Sequence, residues 1–169
     1  MKVALTGEIQ VGKSTIVRKL AAAYAGQFGG FLTVSRQRDD GYLDVFIIPA
    51  DRPDAPCSEK NRIGIRLLQG RFSATPQAFE TAGCEILDAA FGKKLVIMDE
   101  LGMMENQATA FQAKVLEILH GEQQAIIVVK PRSTAFLDQV RAVPGLVIKE
   151  VTRQNREEVG DQLLRLFAK

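Results

Sequence analysis

A short stretch near the N-terminus has the residue types and spacing needed to bind phosphate groups. It consists of Gly7, Glu8, Ile9, Gln10, Val11, Gly12, Lys13, Ser14 and Thr15. Their order matches the pattern G-x-x-x-x-G-K-S/T of a phosphate-binding loop. An apolar run at Lys2–Thr6 predicts a strand before the loop, and the residues from about Lys13 onward predict a helix after it. Because the motif requires this strand–loop–helix context, the stretch predicts a binding site for a chain of phosphates.

The residue types explain how such a loop would bind a nucleotide. Gly7 allows a sharp turn out of the strand, and Gly12 lets backbone N–H groups approach the phosphate oxygens. The first turn of the helix adds its free N–H groups and the positive end of the helix dipole. We expect Lys13 to reach the β- and γ-phosphates as a catalytic residue, and the Ser14 hydroxyl to bind Mg²⁺.

A second motif lies at the end of a predicted buried strand. The segment Leu95-Val96-Ile97-Met98-Asp99-Glu100 has four apolar residues followed by two acids, the form of a Walker B segment. We expect Asp99 to hold Mg²⁺ through a water molecule, since Mg²⁺ keeps much of its hydration. Glu100 would then lie near the γ-phosphate as a catalytic residue, where a carboxylate can orient or deprotonate an attacking water. The pattern alone is weak, but it completes the magnesium site that the phosphate-binding loop begins.

Other polar residues each have two interpretations. Asn155 and Arg156 could contact the base of the nucleotide, or they could be a helix cap and a surface arginine. Arg36 or Arg132 could supply positive charge to a transition state, although most arginines are simply exposed. Glu105 could anchor a loop or lie beside the attacking water, or it could be an acid favoured at a helix N-terminus.

The elements that would position these residues alternate between strands and helices. After a break at residues 25–30, Arg38-Asp39-Asp40-Gly41 predicts a hairpin turn between antiparallel strands. Thr75-Pro76 predicts the start of a helix that runs to Gly92, with Thr75 as its cap and Phe91 in its apolar stripe. Strands are predicted at Phe31–Ser35, Tyr42–Ile48, Ile63–Leu68, Leu95–Met98, Ala125–Val129 and Leu146–Ile148, and further helices at Glu105–Leu119, Thr134–Val143 and Asn155–Phe167.

Together with the phosphate-binding loop, this alternation predicts an α/β P-loop NTPase sandwich with a mainly parallel core sheet and an antiparallel edge insertion. Ligands of such sheets bind beyond the carboxyl ends of the strands. Thr6, Asp99 and Lys130 each follow or end a predicted strand, so we expect their neighbourhoods to converge on one site.

Composition places few limits on function. The chain has 169 residues, which suits one domain spanning residues 1–169. A net charge of +2 offers no reason to expect nucleic acid or a membrane as a partner, and the sequence indicates no particular protein partner. The two cysteines, Cys57 and Cys84, lack metal-site spacing and suit free thiols in a reducing compartment. We therefore expect a cytoplasmic protein.

Several segments together resemble the cancer-related nucleoside-triphosphatases, a family of small P-loop proteins. The matching segments are Asp99-Glu100-Leu101-Gly102-Met103-Met104-Glu105, Gly30-Phe31-Leu32-Thr33 with Arg36 close behind, Gly70-Arg71-Phe72, Phe79-Glu80, and Thr152-Arg153-Gln154-Asn155-Arg156. The resemblance covers nearly the whole chain. It departs from the family pattern at Lys130-Pro131-Arg132, where a small polar residue such as threonine is expected.

The resemblance implies slow hydrolysis of ATP, GTP and other nucleoside triphosphates with little selectivity for the base. It also implies a fold close to that of nucleotide kinases. Two other functions remain open from the residues themselves. One is a small kinase that transfers the γ-phosphoryl group to a nucleotide or metabolite, and the other is a nucleotide-dependent adaptor or switch. Glu100 is the feature that favours hydrolysis over transfer.

Overall fold

Strands and helices alternate along the chain in a computed structural model, which describes residues 1–24 and 26–167. The strands are β1 (Lys2–Thr6), β2 (Phe28–Gln37), β3 (Leu43–Pro49), β4 (Arg62–Arg66), β5 (Phe72–Ala74), β6 (Leu95–Leu101), β7 (Gln124–Val129) and β8 (Leu146–Glu150). The helices are α1 (Lys13–Ala23), α2 (Pro76–Ala78), a π-helical turn (Phe79–Gly83), α3 (Cys84–Ala90), α4 (Thr109–His120), α5 (Ala135–Arg141) and α6 (Arg156–Phe167).

All eight strands form one sheet in the order β5-β4-β3-β2-β6-β7-β1-β8. Neighbouring strands in the part β2-β6-β7-β1-β8 pair in parallel. Strands β3, β4 and β5 extend the β2 edge with antiparallel pairing. The predicted α/β architecture, with its parallel core and antiparallel edge insertion, is therefore confirmed. The predicted hairpin turn is confirmed as well, since the Arg38 N–H donates to the Tyr42 carbonyl at 2.9 Å and Gly41 has a φ of 83°.

Apolar side chains cover both faces of the sheet. Strand β6 contributes side chains to both faces, because successive side chains of a strand point to opposite faces. Val96 and Met98 join the core beneath α3, α4 and α5, whereas Leu95 and Ile97 join the core beneath α1 and α6. A continuous apolar run of this kind is typical of a parallel strand that is covered on both faces.

Parallel pairing brings the ends of β1 and β6 to the same level of the sheet. Both strands pair with β7, and both Leu5 and Asp99 have Val128 as their partner. The Lys130 N–H, just beyond β7, donates to the Leu101 carbonyl at 2.9 Å. The expected convergence of Thr6, Asp99 and Lys130 is thus confirmed.

The break predicted at residues 25–30 is wrong for its second half. Phe28, Gly29 and Gly30 belong to β2 and pair with β6 in parallel; Ala25 lies outside the described residues. The glycines do not interrupt the strand because the neighbouring chain requires them. Gly30 has a φ of 94°, and a Cβ atom there would lie 1.9 Å from the Ile97 carbonyl oxygen.

Two details of the helix predicted from Thr75 to Gly92 also differ. The Thr75 side chain makes no capping hydrogen bond within the described part of the chain, and the π-helical turn Phe79–Gly83 interrupts the α-helix. Phe91, predicted to lie in the core, is 41% exposed. It follows the last residue of α3 with extended backbone angles, so its ring leaves the apolar stripe of the helix.

The helix predicted from Glu105 begins later, at Thr109. Glu105 lies in the preceding turn, and the Glu80 carboxylate instead accepts hydrogen bonds from the Ala110 N–H at 3.1 and 3.2 Å. The interpretation of Glu105 as a helix N-terminal acid is therefore wrong. Among the described helices, none is both long and apolar enough to cross a membrane.

Three phenylalanine rings join the helices to the sheet, and this contact yields a stability prediction. The ring of Phe111 in α4 lies 5.5 Å from that of Phe31 and 4.9 Å from that of Phe79, measured between centroids. Phe111→Ala removes a fully buried ring and should lower the free energy of unfolding by about 3–5 kcal/mol. Urea denaturation measures this loss.

Phe91→Ala is the matched control for this substitution because the same ring is lost from an exposed position. It should change the free energy of unfolding by less than about 1 kcal/mol. Equal losses for the two variants would contradict the assignment of Phe111 to the core and of Phe91 to the surface.

Candidate active site

The phosphate-binding loop connects β1 to α1 and packs against the end of β8. Gly7 has a φ of 131° and Gly12 a φ of 110°, a backbone region that favours glycine. A Cβ atom at Gly7 would lie 2.3 Å from the Val151 carbonyl oxygen. The Val151 N–H donates to the Thr6 carbonyl at 2.8 Å, so the loop turns in a space that the neighbouring chain leaves only for glycine.

Lys13 lies in the first turn of α1 and points back across the loop. Its ammonium donates to the main-chain carbonyl oxygens of Gly7 at 2.9 Å and of Glu8 at 2.5 Å. Burial lowers the pKa of Lys13, the negative charges of Glu100 and Asp99 raise it, and the positive charge of Lys130 lowers it. The charged ends of the loop and of β6 and β7 therefore lie within electrostatic reach of one another.

Asp99 is buried at the end of β6, with 8% of its surface exposed. Burial is the main cause that raises its pKa to about 6, and the adjacent charge of Glu100 contributes. A hydrogen bond from the Ser14 side chain and the positive charges of Arg18 and Lys13 act in the opposite direction. The structure thus brings together the oxygens of Ser14 and Asp99, the two residues predicted to hold a metal.

Glu100 follows Asp99 but points into a more open region. Its carboxylate forms an ion pair with the Lys130 ammonium at 2.7 Å, and the two side chains are 29% and 33% exposed. Val45 of β3 and Ile63 and Arg66 of β4 line a small cavity of about 20 Å³ beside this pair. The antiparallel edge insertion therefore contributes residues to the neighbourhood of Glu100.

Glu105 lies beneath this region and is 2% exposed. Its carboxylate accepts a hydrogen bond from the Gly102 N–H at 2.5 Å, which ties down the loop that follows β6. Burial raises the pKa of Glu105 to about 7, although the hydrogen bonds of its carboxylate and the charge of Lys130 lower it. Of the roles considered for Glu105, loop anchoring is the one that these contacts support.

Arg156 begins α6 beside the loop between β1 and α1, and Asn155 immediately precedes it. The Asn155 side chain accepts from the Thr152 N–H at 2.8 Å and donates to the Glu150 carbonyl at 3.0 Å. The Asn155 N–H donates to the Thr152 hydroxyl at 3.2 Å, so the two residues exchange hydrogen bonds in the manner of a capping box in which Thr152 is the cap. The Arg156 side chain passes over Gly12, where an added Cβ atom would lie 3.1 Å from its Cδ atom. Contact of either residue with a base stays a prediction, and Arg156 is the one that extends along the loop.

Arg18 is a charged neighbour of Asp99 that sequence reasoning missed. A signal was present, since Arg18 lies four residues after Ser14 and residues with this spacing share one face of a helix. Arg36 and Arg132, considered as sources of positive charge, are exposed.

The comparison that decides the family is a match over most of the chain. A family model described as NTPase matches residues 2–164. The chain belongs to this NTPase family. Its enzyme class is accordingly that of the nucleoside-triphosphatases.

Individual NTPase relatives agree with this assignment. The chain is 26% identical over 165 residues to a protein of Thermotoga petrophila named nucleoside-triphosphatase THEP1, and the match covers 97% of this chain and 91% of the relative. The crystal structure of THEP1 from Aquifex aeolicus superposes with a TM-score of 0.81 at 24% identity and full coverage of both chains. The solution structure of a human cancer-related nucleoside triphosphatase gives a TM-score of 0.67 at 21% identity, covering 98% of this chain and 96% of the other. The P-loop NTPase fold is thus confirmed.

The buried carboxyl of Glu105 yields a prediction about pH and stability. Its pKa is about 7, raised from an ordinary value of 4.5, so the folded protein binds more protons than the unfolded chain between these values. Stability should therefore fall as the pH rises through this window. Glu105→Gln keeps an acceptor for the Gly102 N–H but does not ionise. In this variant the free energy of unfolding should therefore not show the decrease on the order of 2–3 kcal/mol that Glu105 causes in the wild type.

Urea unfolding of the wild type and of Glu105→Gln at pH 5 and at pH 8 measures this loss of stability. The raised pKa of Asp99 also makes stability fall as the pH rises, but it does so in both proteins. The difference between their pH dependences therefore reports the contribution of Glu105. Parallel pH dependence in the two proteins would show that Glu105 ionises as it does in the unfolded chain.

Proposed function

We propose that this NTPase catalyses the Mg²⁺-dependent hydrolysis of nucleoside 5′-triphosphates, ATP and GTP among them, to the diphosphate and phosphate. The observation that carries the proposal is the meeting of Lys13, Asp99 and Glu100 at the carboxyl ends of β1 and β6. Ligands of open α/β sheets bind at this edge. The names of the family and of its relatives support the reaction class.

The phosphates would lie in the loop between β1 and α1. Its glycines let backbone N–H groups face the phosphate oxygens, and the start of α1 adds a positive dipole end. Lys13 donates to the carbonyls of Gly7 and Glu8. The oxygens of a bound triphosphate would replace these carbonyls as the acceptors of its hydrogen bonds. An ammonium among phosphates offsets the charge that develops as the γ-phosphoryl group is transferred.

The residues present suit Mg²⁺ as the metal. The Ser14 side chain lies close enough to Asp99 to lower the pKa of its carboxyl, so a hydroxyl and a carboxylate oxygen are available together, and hard oxygen ligands are the kind that Mg²⁺ binds. No group of three or more His, Cys, Asp or Glu side chains that could hold a metal occurs among the described residues. A site with a single carboxylate suits Mg²⁺, which usually takes one or two carboxylates together with substrate oxygens and water. When bound, the ion would neutralise charge on the phosphates.

Glu100 is the proposed proton acceptor. The oxygen of a water molecule would attack the γ-phosphorus while the bond to the bridging oxygen breaks, and the diphosphate leaves. The carboxylate of Glu100 would take the proton that the water loses. Glu100 lies next to the buried Asp99, but its side chain is more exposed. It could therefore face a water rather than the metal.

Selectivity for the base should be low. Arg156, half-exposed beside Gly12, could stack on any base because stacking by a guanidinium does not depend on hydrogen-bond pattern. The amide of Asn155 is already engaged by Thr152 and Glu150. We also propose a cytoplasmic location, where nucleoside triphosphates are available and the free thiols of Cys57 and Cys84 stay reduced.

Phosphate release from a panel of nucleoside triphosphates, with and without Mg²⁺, tests this function. ATP and GTP should both be hydrolysed without any acceptor molecule, at rates within about tenfold, a difference of roughly 1.4 kcal/mol in the barrier. Chelation of Mg²⁺ or the substitution Lys13→Ala should abolish the release. Phosphate loss that requires an added small-molecule acceptor would identify a kinase instead.

Glu100→Gln separates the chemical step from binding. The amide keeps the shape of the carboxylate but cannot accept the proton, and general-base catalysis contributes about 10²–10⁴-fold. Single-turnover hydrolysis should fall by that factor, while the affinity for nucleotide changes by less than about threefold.

Asp99→Asn is the matched substitution at the neighbouring position. Because Asp99 is assigned to the metal, it should weaken the binding of Mg²⁺-nucleotide as well as turnover. Unchanged hydrolysis in Glu100→Gln would rule out the proton-accepting role.

A further inference from the structure

The ion pair between Lys130 and Glu100 places a second lysine next to the proposed proton acceptor. The two charged groups lie 2.7 Å apart, and about a third of each side chain is exposed. The positive charge of Lys130 also lowers the pKa of Lys13, so the two lysines lie within electrostatic reach of each other. Lys130 is thus part of the charge cluster at the ends of β1, β6 and β7.

The backbone of Lys130 is held on both sides. Its N–H donates to the Leu101 carbonyl at 2.9 Å, and its carbonyl accepts from the Arg141 guanidinium at 2.7 Å. Arg141 also donates to the Arg132 carbonyl at 2.7 Å, which fixes the turn between β7 and α5. The lysine therefore starts from a rigid position rather than from a freely moving loop.

The stem of the Lys130 side chain is guided as well. It crosses Gly102, where an added Cβ atom would lie 3.0 Å from the Lys130 Cδ atom. The Gly102 N–H is in turn bound by the buried Glu105 carboxylate. Glu105 thus holds Gly102, Gly102 leaves room for the stem of Lys130, and Lys130 binds Glu100.

Glu100 needs such a partner because several anions meet here. Its charge already disfavours ionisation of Asp99 and contributes to the raised pKa of that residue. A triphosphate in the loop would add further negative charge, and like charges at these distances repel. A carboxylate without a fixed cation would turn toward solvent, away from the phosphates.

We propose that Lys130 is a positioning residue that holds the Glu100 carboxylate beside the γ-phosphate site. This role rests on the proposed function, because it requires that Glu100 act on a water. Lys130 acts through Glu100: the ion pair offsets repulsion from Asp99 and the phosphates and limits the rotation of the carboxylate. Orientation of this kind affects the chemical step, and misplacement by about 1 Å can cost as much as about 100-fold in rate.

Lys130→Met tests this role because methionine keeps most of the stem and removes the charge. We expect kcat to fall by roughly 10- to 100-fold, with KM for ATP unchanged within about threefold. Lys130→Arg keeps the charge and should restore kcat to within about threefold of the wild type, less than ~1 kcal/mol of barrier. Lys114→Met is the matched control, since Lys114 has a similar exposure and pairs with Asp88 between α4 and α3; its kcat should equal that of the wild type.

A double-mutant cycle separates a positioning role from direct action on the phosphate. In single-turnover hydrolysis, Lys130→Met should slow the wild type but change a Glu100→Gln background by less than about twofold, because the effects of residues that act as a unit are not additive. An equal loss in both backgrounds would overturn the proposal and assign Lys130 to the phosphate. An unchanged kcat in Lys130→Met would also overturn it.

Gly102→Ala provides an independent route if Lys130→Met folds poorly. The added methyl group displaces the lysine stem without removing its charge, so it should lower kcat, and it should lower kcat no further when combined with Lys130→Met. Full activity in Gly102→Ala would contradict the proposed path of the side chain. A wild type without phosphate release would overturn the proposed hydrolysis itself, whereas a hydrolysing wild type with an insensitive Lys130 would overturn only the positioning role.

Discussion

The parallel pairing of β1 and β6 on the two sides of β7 is the constraint on which the rest of the site depends. Leu5 and Asp99 share Val128 as their partner, so the phosphate-binding loop and the two acids leave the sheet at the same level. A slip by one residue would exchange side chains of different shape between the two cores that cover β6, and close packing on both faces opposes such an exchange. The packing of the core therefore determines the distance between the loop and the two acids.

The charges that meet at this edge are then separated by burial. Asp99 is buried beside Ser14, whereas Glu100 is partly exposed and pairs with Lys130. The pairing of β6 with β7 is irregular between Asp99 and Leu101, and the two consecutive carboxylates have different surroundings, so one could serve a metal and the other a water. Glu105 binds the Gly102 N–H beneath them, so a third carboxylate has a structural role without contact with the solvent.

The parts of the site that lie close together in sequence could be predicted from it. The loop from Gly7 to Thr15 and the acids at the end of β6 follow from local spacing, and the mainly parallel core sheet follows from apolar runs separated by helices. Three features could not be predicted in this way, because they depend on the pairing of distant strands. They are the Lys130–Glu100 ion pair, the electrostatic influence of Arg18 on Asp99 and the burial of Glu105. The start of β2 at Phe28 was missed for a related reason, since its glycines suggest a break until the approach of Ile97 is known.

A crystal structure with Mg²⁺ and a non-hydrolysable triphosphate tests the site most directly. The γ-phosphate should lie between Lys13 and Glu100, with the metal bound to Ser14 directly and to Asp99 through water. The Glu100 carboxylate should retain its contact with Lys130 and face a water in line with the γ-phosphorus. A γ-phosphate that points away from Glu100, or a nucleotide bound elsewhere on the sheet, would contradict the assignment of this edge as a hydrolytic centre.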